Sequence, residues 1–308
     1  MSAEGGTKAI MAALMANMGI AVAKFVAFGF TGSTSMMAEG VHSVADSGNQ
    51  ALLILGRNRS QRDRTPQHPF GFGRERFFYA FIVAVVLFTV GSLFSLYEGF
   101  HKFSDPHPVE SPAWAFGVLI FAILLEGYSF RTAVKESNEL RDGRSWASFI
   151  RRAKAPELPV VLLEDLAALF GLVLALAGVA LAVVTGDGIW DGIGSMAIGV
   201  LLGAVAIILA IETKSLLIGE AADPEIEQTI MAALEAGAEV EHVIELLTQH
   251  IGPEDLLIAA KIAVKHDDSA AKVAMGIDAA EGRVRAAVPM AKHIFLEPAL
   301  GDPAKVTK

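Results

Sequence analysis

The sequence predicts a polytopic α-helical membrane protein with six transmembrane helices, followed by a small C-terminal α+β domain of order α-β-β-α-β. Hydrophobic residues make up 53% of the 308 residues, whereas about 45–50% is typical of soluble domains. Charge is unevenly divided, because residues 215–308 have a net charge of −8 and residues 1–214 a net charge of −1. The chain therefore separates into a nearly neutral membrane part and an acidic soluble part.

Six long apolar segments precede the acidic part. Each is close to the ~20 residues that a helix needs to cross the hydrocarbon core of a bilayer. The predicted spans are 9–30, 35–55, 77–103, 113–134, 159–185 and 192–211. These spans predict a transmembrane domain over residues 1–214, a C-terminal domain over residues 215–300 and a tail over residues 301–308.

Basic residues in the links between the spans predict their orientation. Residues 57–76 contain six arginines and residues 131–158 contain seven lysines and arginines, whereas the links 31–34, 104–112 and 186–191 contain none. Positively charged links stay on the cytoplasmic side of a membrane. Because the number of spans is even, both termini and the C-terminal domain are then expected in the cytoplasm, and we expect the bacterial inner (plasma) membrane.

The acidic part alternates between helical and strand patterns. Asp223 and Pro224 are suited to the start of a helix, which Gly237 would end. The predicted elements are a helix at 225–236, strands at 240–251 and 256–265, a helix at 270–287 and a strand at 293–296. This order is typical of a small two-layer α+β domain.

Composition excludes several kinds of site. The sequence contains no cysteine, so disulfides, thiolate metal sites and cysteine nucleophiles are excluded. The acidic C-terminal part lacks the basic face that nucleic acid requires. Nucleic acid is therefore not an expected partner, and cations suit this charge better.

A polar stripe interrupts the second predicted span. His42 and Asp46 are four residues apart, which places them one turn apart on a single helix face. Glu39, Asn49 and Gln50 extend this polar stripe. An ionised side chain at the centre of a spanning helix costs about 2.5–3.5 kcal/mol on the insertion scale. The stripe therefore needs partners or a cation.

The fifth span contains a second pair of acids, Glu164 and Asp165. Carboxylates in apolar surroundings repel one another unless a proton or a divalent cation lies among them. A purely structural His42–Asp46 hydrogen bond is the alternative, but it does not require two acids on another helix. Asn17 in the first span is either a further polar contributor or a helix-packing residue.

Four residues outside the spans are weaker candidates for cation binding. His68 lies in the turn-rich sequence of residues 68–73 and is either an entrance ligand or a solvated loop residue. In the C-terminal domain, His242, His266 and Glu297 are candidates for a cation-sensing site. Taken singly, each of these side chains is more often a surface group than a metal ligand.

The chain resembles the cation diffusion facilitator family. The resemblance rests on the motifs AEGVHSVADS at 38–47, HPFGFG at 68–73, LEDLAA at 163–168 and SLLIGE at 215–220, together with six spans and an α-β-β-α-β tail. It covers nearly the whole chain. It implies a homodimer that exports a divalent transition metal from the cytoplasm in exchange for protons, with the C-terminal domain mediating dimerisation or regulation.

The resemblance also implies a tetrahedral transport site made by two residues four apart on the second span and two on the fifth. His42, Asp46 and Asp165 match this pattern, whereas Val161 occupies the fourth position. This departure is similar to the zinc transporter 9 branch, which has Glu-Asp on the fifth span. The candidates for the fourth ligand are Glu164, which we prefer, Asn17, Asn49 and water.

The function expected from these features is proton-coupled metal efflux by a secondary active transporter, not an enzyme, with no prosthetic group. One imidazole with oxygen ligands suits Zn²⁺, Co²⁺, Fe²⁺ or Mn²⁺, and Zn²⁺ is the first choice. Two other classes remain open. One is a membrane metal sensor that binds metal through the C-terminal tail and does not transport. The other is an intramembrane metalloenzyme that uses the same His42–Asp46 pair with a zinc-bound water.

Overall fold

The computed structural model describes residues 6–31, 34–109, 111–141 and 143–300. The chain divides into two compact units. The first contains the residues up to Arg59 together with Glu75–Lys214, and the second contains Ser60–Arg74 together with the residues from Ser215 onward. The predicted tail 301–308 lies outside the described residues.

The first unit is built from helices. Its first half contains α1 (Thr7–Thr31), α2 (Thr34–Ser60), α3 (Glu75–Val86), a π-helical segment (Leu87–Leu93) and α4 (Phe94–Ser104). Its second half contains α5 (Pro112–Arg141), a short α6 (Trp146–Arg152), α7 (Glu157–Thr185) and α8 (Ile189–Ile218). The π-helical segment joins α3 and α4 into one continuous element, and such wider turns are frequent at functional sites.

Five described helical elements are long and apolar enough to cross a membrane. They are Thr7–Thr31, Glu75–Ser104, Pro112–Arg141, Glu157–Thr185 and Ile189–Ile218. The protein is therefore an integral multi-pass membrane protein. The sixth predicted span corresponds to α2, which has 27 residues. Its polar stripe lowers its hydropathy, so the described residues support five of the six predicted spans by length and composition.

Packing in the first unit centres on α5, which lies against α1 and α7. The inner face of α5 is largely small, with buried Ala122, Ser129, Ala133 and Ser137, and small residues allow membrane helices to approach closely. An ion pair between Arg76 and Glu157 joins the first turns of α3 and α7, with 2.8 Å between Arg76 Nη2 and Glu157 Oε2. These contacts position α7 and its acidic residues.

The second unit contains a three-stranded sheet of order β1-β2-β3. The strands are β1 (His242–Gly252), β2 (Asp255–Val264) and β3 (Ala291–Leu300), and the helices are α9 (Pro224–Glu235) and α10 (Ala270–Ala287). Strand β1 pairs with β2 antiparallel, and β3 pairs with β2 parallel. Apolar side chains of both helices and the sheet form one core, for example Ile230, Ile258 and Val284.

The predicted order α-β-β-α-β is confirmed, with one difference in length. The last strand was predicted at 293–296 and runs from Ala291 to Leu300. Pro298 lies within this strand, although proline cannot donate to a ladder. It is tolerated here because β3 is an edge strand.

The loop of residues 60–74 groups with the second unit, although the sequence placed it within the 1–214 domain. The ring of Phe70 makes an edge contact with the ring of His293, with 5.1 Å between their centroids. Gly73 lies directly against the backbone of the β1–β2 turn. The turn-rich motif at 68–73 therefore packs on the C-terminal sheet.

We expect Gly73→Ala to loosen this loop. A Cβ atom at Gly73 would lie 2.7 Å from the carbonyl oxygen of Ile251 and 2.9 Å from the Cα atom of Gly252, and overpacking of this kind costs about 1–3 kcal/mol. Hydrogen exchange should accelerate at the amides of residues 60–74. The control is Gly282→Ala in α10, where a Cβ meets open space and stability should rise by about 0.5–1 kcal/mol. Unchanged exchange in Gly73→Ala would contradict this packing.

Candidate functional site

A cavity of about 350 Å³ lies within the first unit. His42, Asp46 and Glu164 line it, together with Asn17 and Glu126. Further charged residues line the same cavity, namely Lys24, Glu39, Glu98, Lys102, Asp105 and Asp191. It is therefore a polar cavity inside a membrane unit, the setting in which intramembrane ionisable groups are accommodated.

The α2 side of the cavity contains the predicted histidine–aspartate pair. His42 Nε2 lies 3.7 Å from Asp46 Oδ2, and both side chains are about one quarter exposed. His42 Nδ1 is buried and has no hydrogen-bond partner in the described part of the chain. The i, i+4 spacing therefore brings imidazole and carboxylate together, as predicted. It also leaves His42 Nδ1 free to contact a ligand in the cavity.

Glu164 joins α7 to α2 through two amide side chains. Its Oε1 accepts a hydrogen bond of 2.8 Å from Asn49 Nδ2, and its Oε2 accepts one of 3.1 Å from Gln50 Nε2. Gln50 Oε1 in turn accepts a long hydrogen bond of 3.5 Å from Asn17 Nδ2 on α1. All four side chains are buried. Both oxygens of Glu164 are thus occupied by neutral donors.

Asp165 contacts a different helix. Its Oδ2 accepts a hydrogen bond of 2.6 Å from Ser129 Oγ on α5, whereas its buried Oδ1 has no hydrogen-bond partner among the described residues. Consecutive residues on a helix project about 100° apart. The two adjacent acids therefore divide between α2 and α5, and Glu164 is the one that reaches the cavity.

The four predicted ligands do not converge on one point in this structure. Over residues 6–31, 34–109, 111–141 and 143–300, no group of three or more His, Asp and Glu side chains is arranged to hold a metal ion. His42 and Asp46 meet, Glu164 lines the same cavity, and Asp165 is held by Ser129. The ligand set stays a prediction.

The weaker candidates are spread over the second unit. His68 is exposed in its loop, and His266 is exposed next to β2. His242 has a buried Nε2 atom. Glu297 is occupied by Lys261, whose Nζ donates to it over 2.8 Å. The structure does not bring these four side chains into a common metal site within the described residues.

His293 is a partly buried imidazole that contacts the loop 60–74. Burial lowers the pKa of His293 from its ordinary value, and the positive charge of Arg64 lowers it further. The ring packs against Phe70. His293 is therefore a neutral packing residue of this loop–sheet contact at physiological pH.

The structure shows contacts of the acids on α7 that the sequence did not predict. Gln50 and Ser129 orient the two acids of α7. Glu126 is 2% exposed and lines the cavity. The available signal was the helical spacing of three residues between Glu126 and Ser129, which places both on one face.

Two lysines balance part of the negative charge in the cavity. Lys24 on α1 donates to Ser43 Oγ over 3.1 Å and lies 3.4 Å from the carboxylate of Glu39. Lys102 on α4 lies 3.0 Å from both Glu98 and Asp191. These pairs join α1 to α2 and α4 to α8.

Comparison with known families decides the membership of the chain. Residues 10–218 match the family described as "Cation efflux transmembrane domain". The chain belongs to the cation efflux family. The resemblance to cation diffusion facilitators is thereby confirmed.

Several curated relatives have similar sequences. The proton-coupled zinc antiporter SLC30A9, mitochondrial, of Xenopus laevis is 33% identical over 264 residues, which are 85% of this chain and 47% of that protein. Metal tolerance protein C4 of Arabidopsis thaliana is 33% identical over 257 residues, 83% of this chain and 56% of the relative. The manganese efflux system protein MneP of Bacillus subtilis is 26% identical over 269 residues, 84% of either chain.

The resemblance to the zinc transporter 9 branch agrees with the similarity to the Xenopus SLC30A9 protein. The chain spans less than half the length of the Xenopus protein and 44% of its human counterpart, to which it is also 33% identical. The Bacillus protein matches this chain over most of both lengths.

We expect Ser129→Ala to destabilise the cation efflux domain. The substitution leaves both oxygens of the buried Asp165 without a donor, which costs about 1–3 kcal/mol. The matched control is Ser137→Ala on the same face of α5, because the Ser137 hydroxyl is fully buried and makes no hydrogen bond within the described residues. Thermal unfolding in detergent should show a lower midpoint for Ser129→Ala and an equal or higher one for Ser137→Ala. Equal losses in the two variants would contradict the role given to Ser129.

Proposed function

We propose that this cation efflux protein is a secondary active transporter that exports divalent metal ions in exchange for protons. The observation that carries the proposal is the polar cavity in the membrane unit, where His42, Asp46 and Glu164 line one space within the family domain at 10–218. Imidazole and carboxylate groups both ligate divalent metals and bind protons. One set of side chains can thus serve both ions of an antiporter.

Zinc is the proposed first substrate, with Mn²⁺, Co²⁺ and Fe²⁺ as further candidates. A single imidazole with carboxylate oxygens accommodates each of these ions, and imidazole favours zinc. The names of the relatives support zinc and manganese, since two are called zinc antiporters and one a manganese efflux protein.

The proposed ligands are His42, Asp46, Asp165 and Glu164. His42 and Asp46 already face the cavity within reach of each other. Glu164 would exchange its neutral donors, Asn49 and Gln50, for the cation. A divalent charge supplies stronger electrostatic stabilisation than two amide groups, so this exchange is favourable once the ion is in the cavity.

The proposed topology has α2 as a sixth span and both termini in the cytoplasm. It is supported by the arginine-rich links on one side of the spans and by the 27-residue length of α2. The bacterial inner (plasma) membrane is the proposed location, and one of the relatives, MneP, is a bacterial protein. Residues 1–214 would then form the transport domain.

A homodimer through the C-terminal domain is proposed, with this domain also regulating transport. Leu247, Ala259 and Phe295 lie in register across the three strands. Leu247 is 61% exposed and Phe295 is 56% exposed. A row of exposed apolar side chains on one sheet face is characteristic of an interaction surface, and a second copy of the sheet would cover it.

Asp46→Asn should abolish most zinc-driven proton flux in proteoliposomes. The change preserves side-chain shape but removes a charged ligand, which costs at least about 1.5–3 kcal/mol, or about tenfold or more in affinity. Flux is measured with a pH-sensitive dye inside the vesicles while zinc is supplied outside. Asp278→Asn, on the exposed side of α10, is the control and should retain wild-type flux. Wild-type flux in Asp46→Asn would refute the assignment of Asp46.

His42→Asn should change the choice of metal. An amide oxygen replaces the only imidazole of the proposed site, and oxygen ligands favour Mn²⁺ relative to Zn²⁺. The ratio of manganese to zinc transport should rise by about tenfold, as measured in parallel uptake assays on one vesicle preparation. A variant that still transports with an unchanged ratio would remove His42 from the coordination sphere.

A further inference from the structure

Glu126 is a carboxylate at the centre of α5 that the proposed ligand set does not use. It lies 14 residues after the start of a 30-residue helix, so it is near the middle of the span. Its side chain is 2% exposed and lines the cavity. It therefore faces the same space as His42, Asp46 and Glu164.

The described residues provide Glu126 with neither a hydrogen bond nor an ion pair. The charged groups that act on it electrostatically are Lys24 on α1, Asp46 on α2, and Glu164 and Asp165 on α7. Three of these four groups are acids. The single cation, Lys24, is already paired with Glu39 and bonded to Ser43. The charged groups around Glu126 are thus mainly other carboxylates.

An acid in this position requires compensation. An ionised carboxylate inside a membrane unit is costly unless a positive charge lies close to it. Glu98 illustrates the compensated case, because it lines the same cavity and lies 3.0 Å from Lys102. Glu126 has no such partner in the described chain, so a proton or a cation in the cavity must fill that role.

We propose that Glu126 is a proton-exchanging carboxylate of the antiport cycle. When the cavity contains no divalent ion, the Glu126 carboxyl group is protonated. When a divalent ion enters, the O–H bond breaks and one proton passes to water in the cavity, while the carboxylate and the ion balance each other's charge. The inference rests on the proposed function and adds one exchangeable proton from α5 to it.

The test counts the protons released when zinc binds to the purified full-length protein in detergent. Zinc chloride is titrated by calorimetry in two buffers of different ionisation enthalpy, from which the number of released protons follows. Glu126→Gln should release about one proton fewer per bound zinc than the wild type. Glu98→Gln is the matched control, and it should release the wild-type number because Lys102 already compensates Glu98.

A second measurement covers the case in which Glu126→Gln does not fold. The zinc-induced infrared difference spectrum of the wild type should contain the loss of a protonated carboxyl band, and Glu126→Asp should shift this band while preserving the proton count. A wild-type proton count in Glu126→Gln, or a band that Glu126→Asp does not move, would overturn the assignment of Glu126. A wild type that binds none of the four metals overturns the proposed function, and this inference with it.

Discussion

The hydrogen-bonded carboxylate of Glu164 is the constraint on which the membrane unit depends. A polar helix such as α2 is stable beside apolar helices only if its side chains find partners there. Asn49 and Gln50 donate hydrogen bonds to Glu164 on α7. Asn17 on α1 donates a further hydrogen bond to Gln50. The least apolar helix is consequently joined to two strongly apolar ones by groups that are themselves buried.

The same contacts explain why the cavity contains charges in different states. Lysines compensate Glu39, Glu98 and Asp191, and amide donors compensate Glu164. Asp46 and Glu126 have no lysine or arginine partner within the described residues, whereas Asp105 is exposed to solvent. Asp46 on α2 and Glu126 on α5 are therefore the acids for which a mobile cation or proton matters energetically.

Much of the fold, and the pairing of His42 with Asp46, were predictable from sequence. Helical periodicity places His42 and Asp46 on one face, and strand and turn patterns predict the order of the C-terminal domain. The partners of Glu164 and Asp165 were not predictable, because adjacent residues on a helix face different neighbours and the rotation of α7 depends on packing. The lack of a basic partner for Glu126 was also not predictable, because the sequence of an apolar helix with one acid does not show whether a lysine on another helix pairs with it. Likewise, no local pattern indicates that the loop 60–74 packs on a distant sheet.

The grouping of that loop with the C-terminal unit has a mechanical consequence. The chain enters the second unit after Arg59, leaves it at Arg74 and enters it again at Ser215. The second unit is thus tethered to the helices by three peptide linkages instead of one. Two of them lead directly into the last turn of α2 and the first turn of α3. A torque applied to the soluble unit therefore has a covalent route to the helix that contains His42 and Asp46.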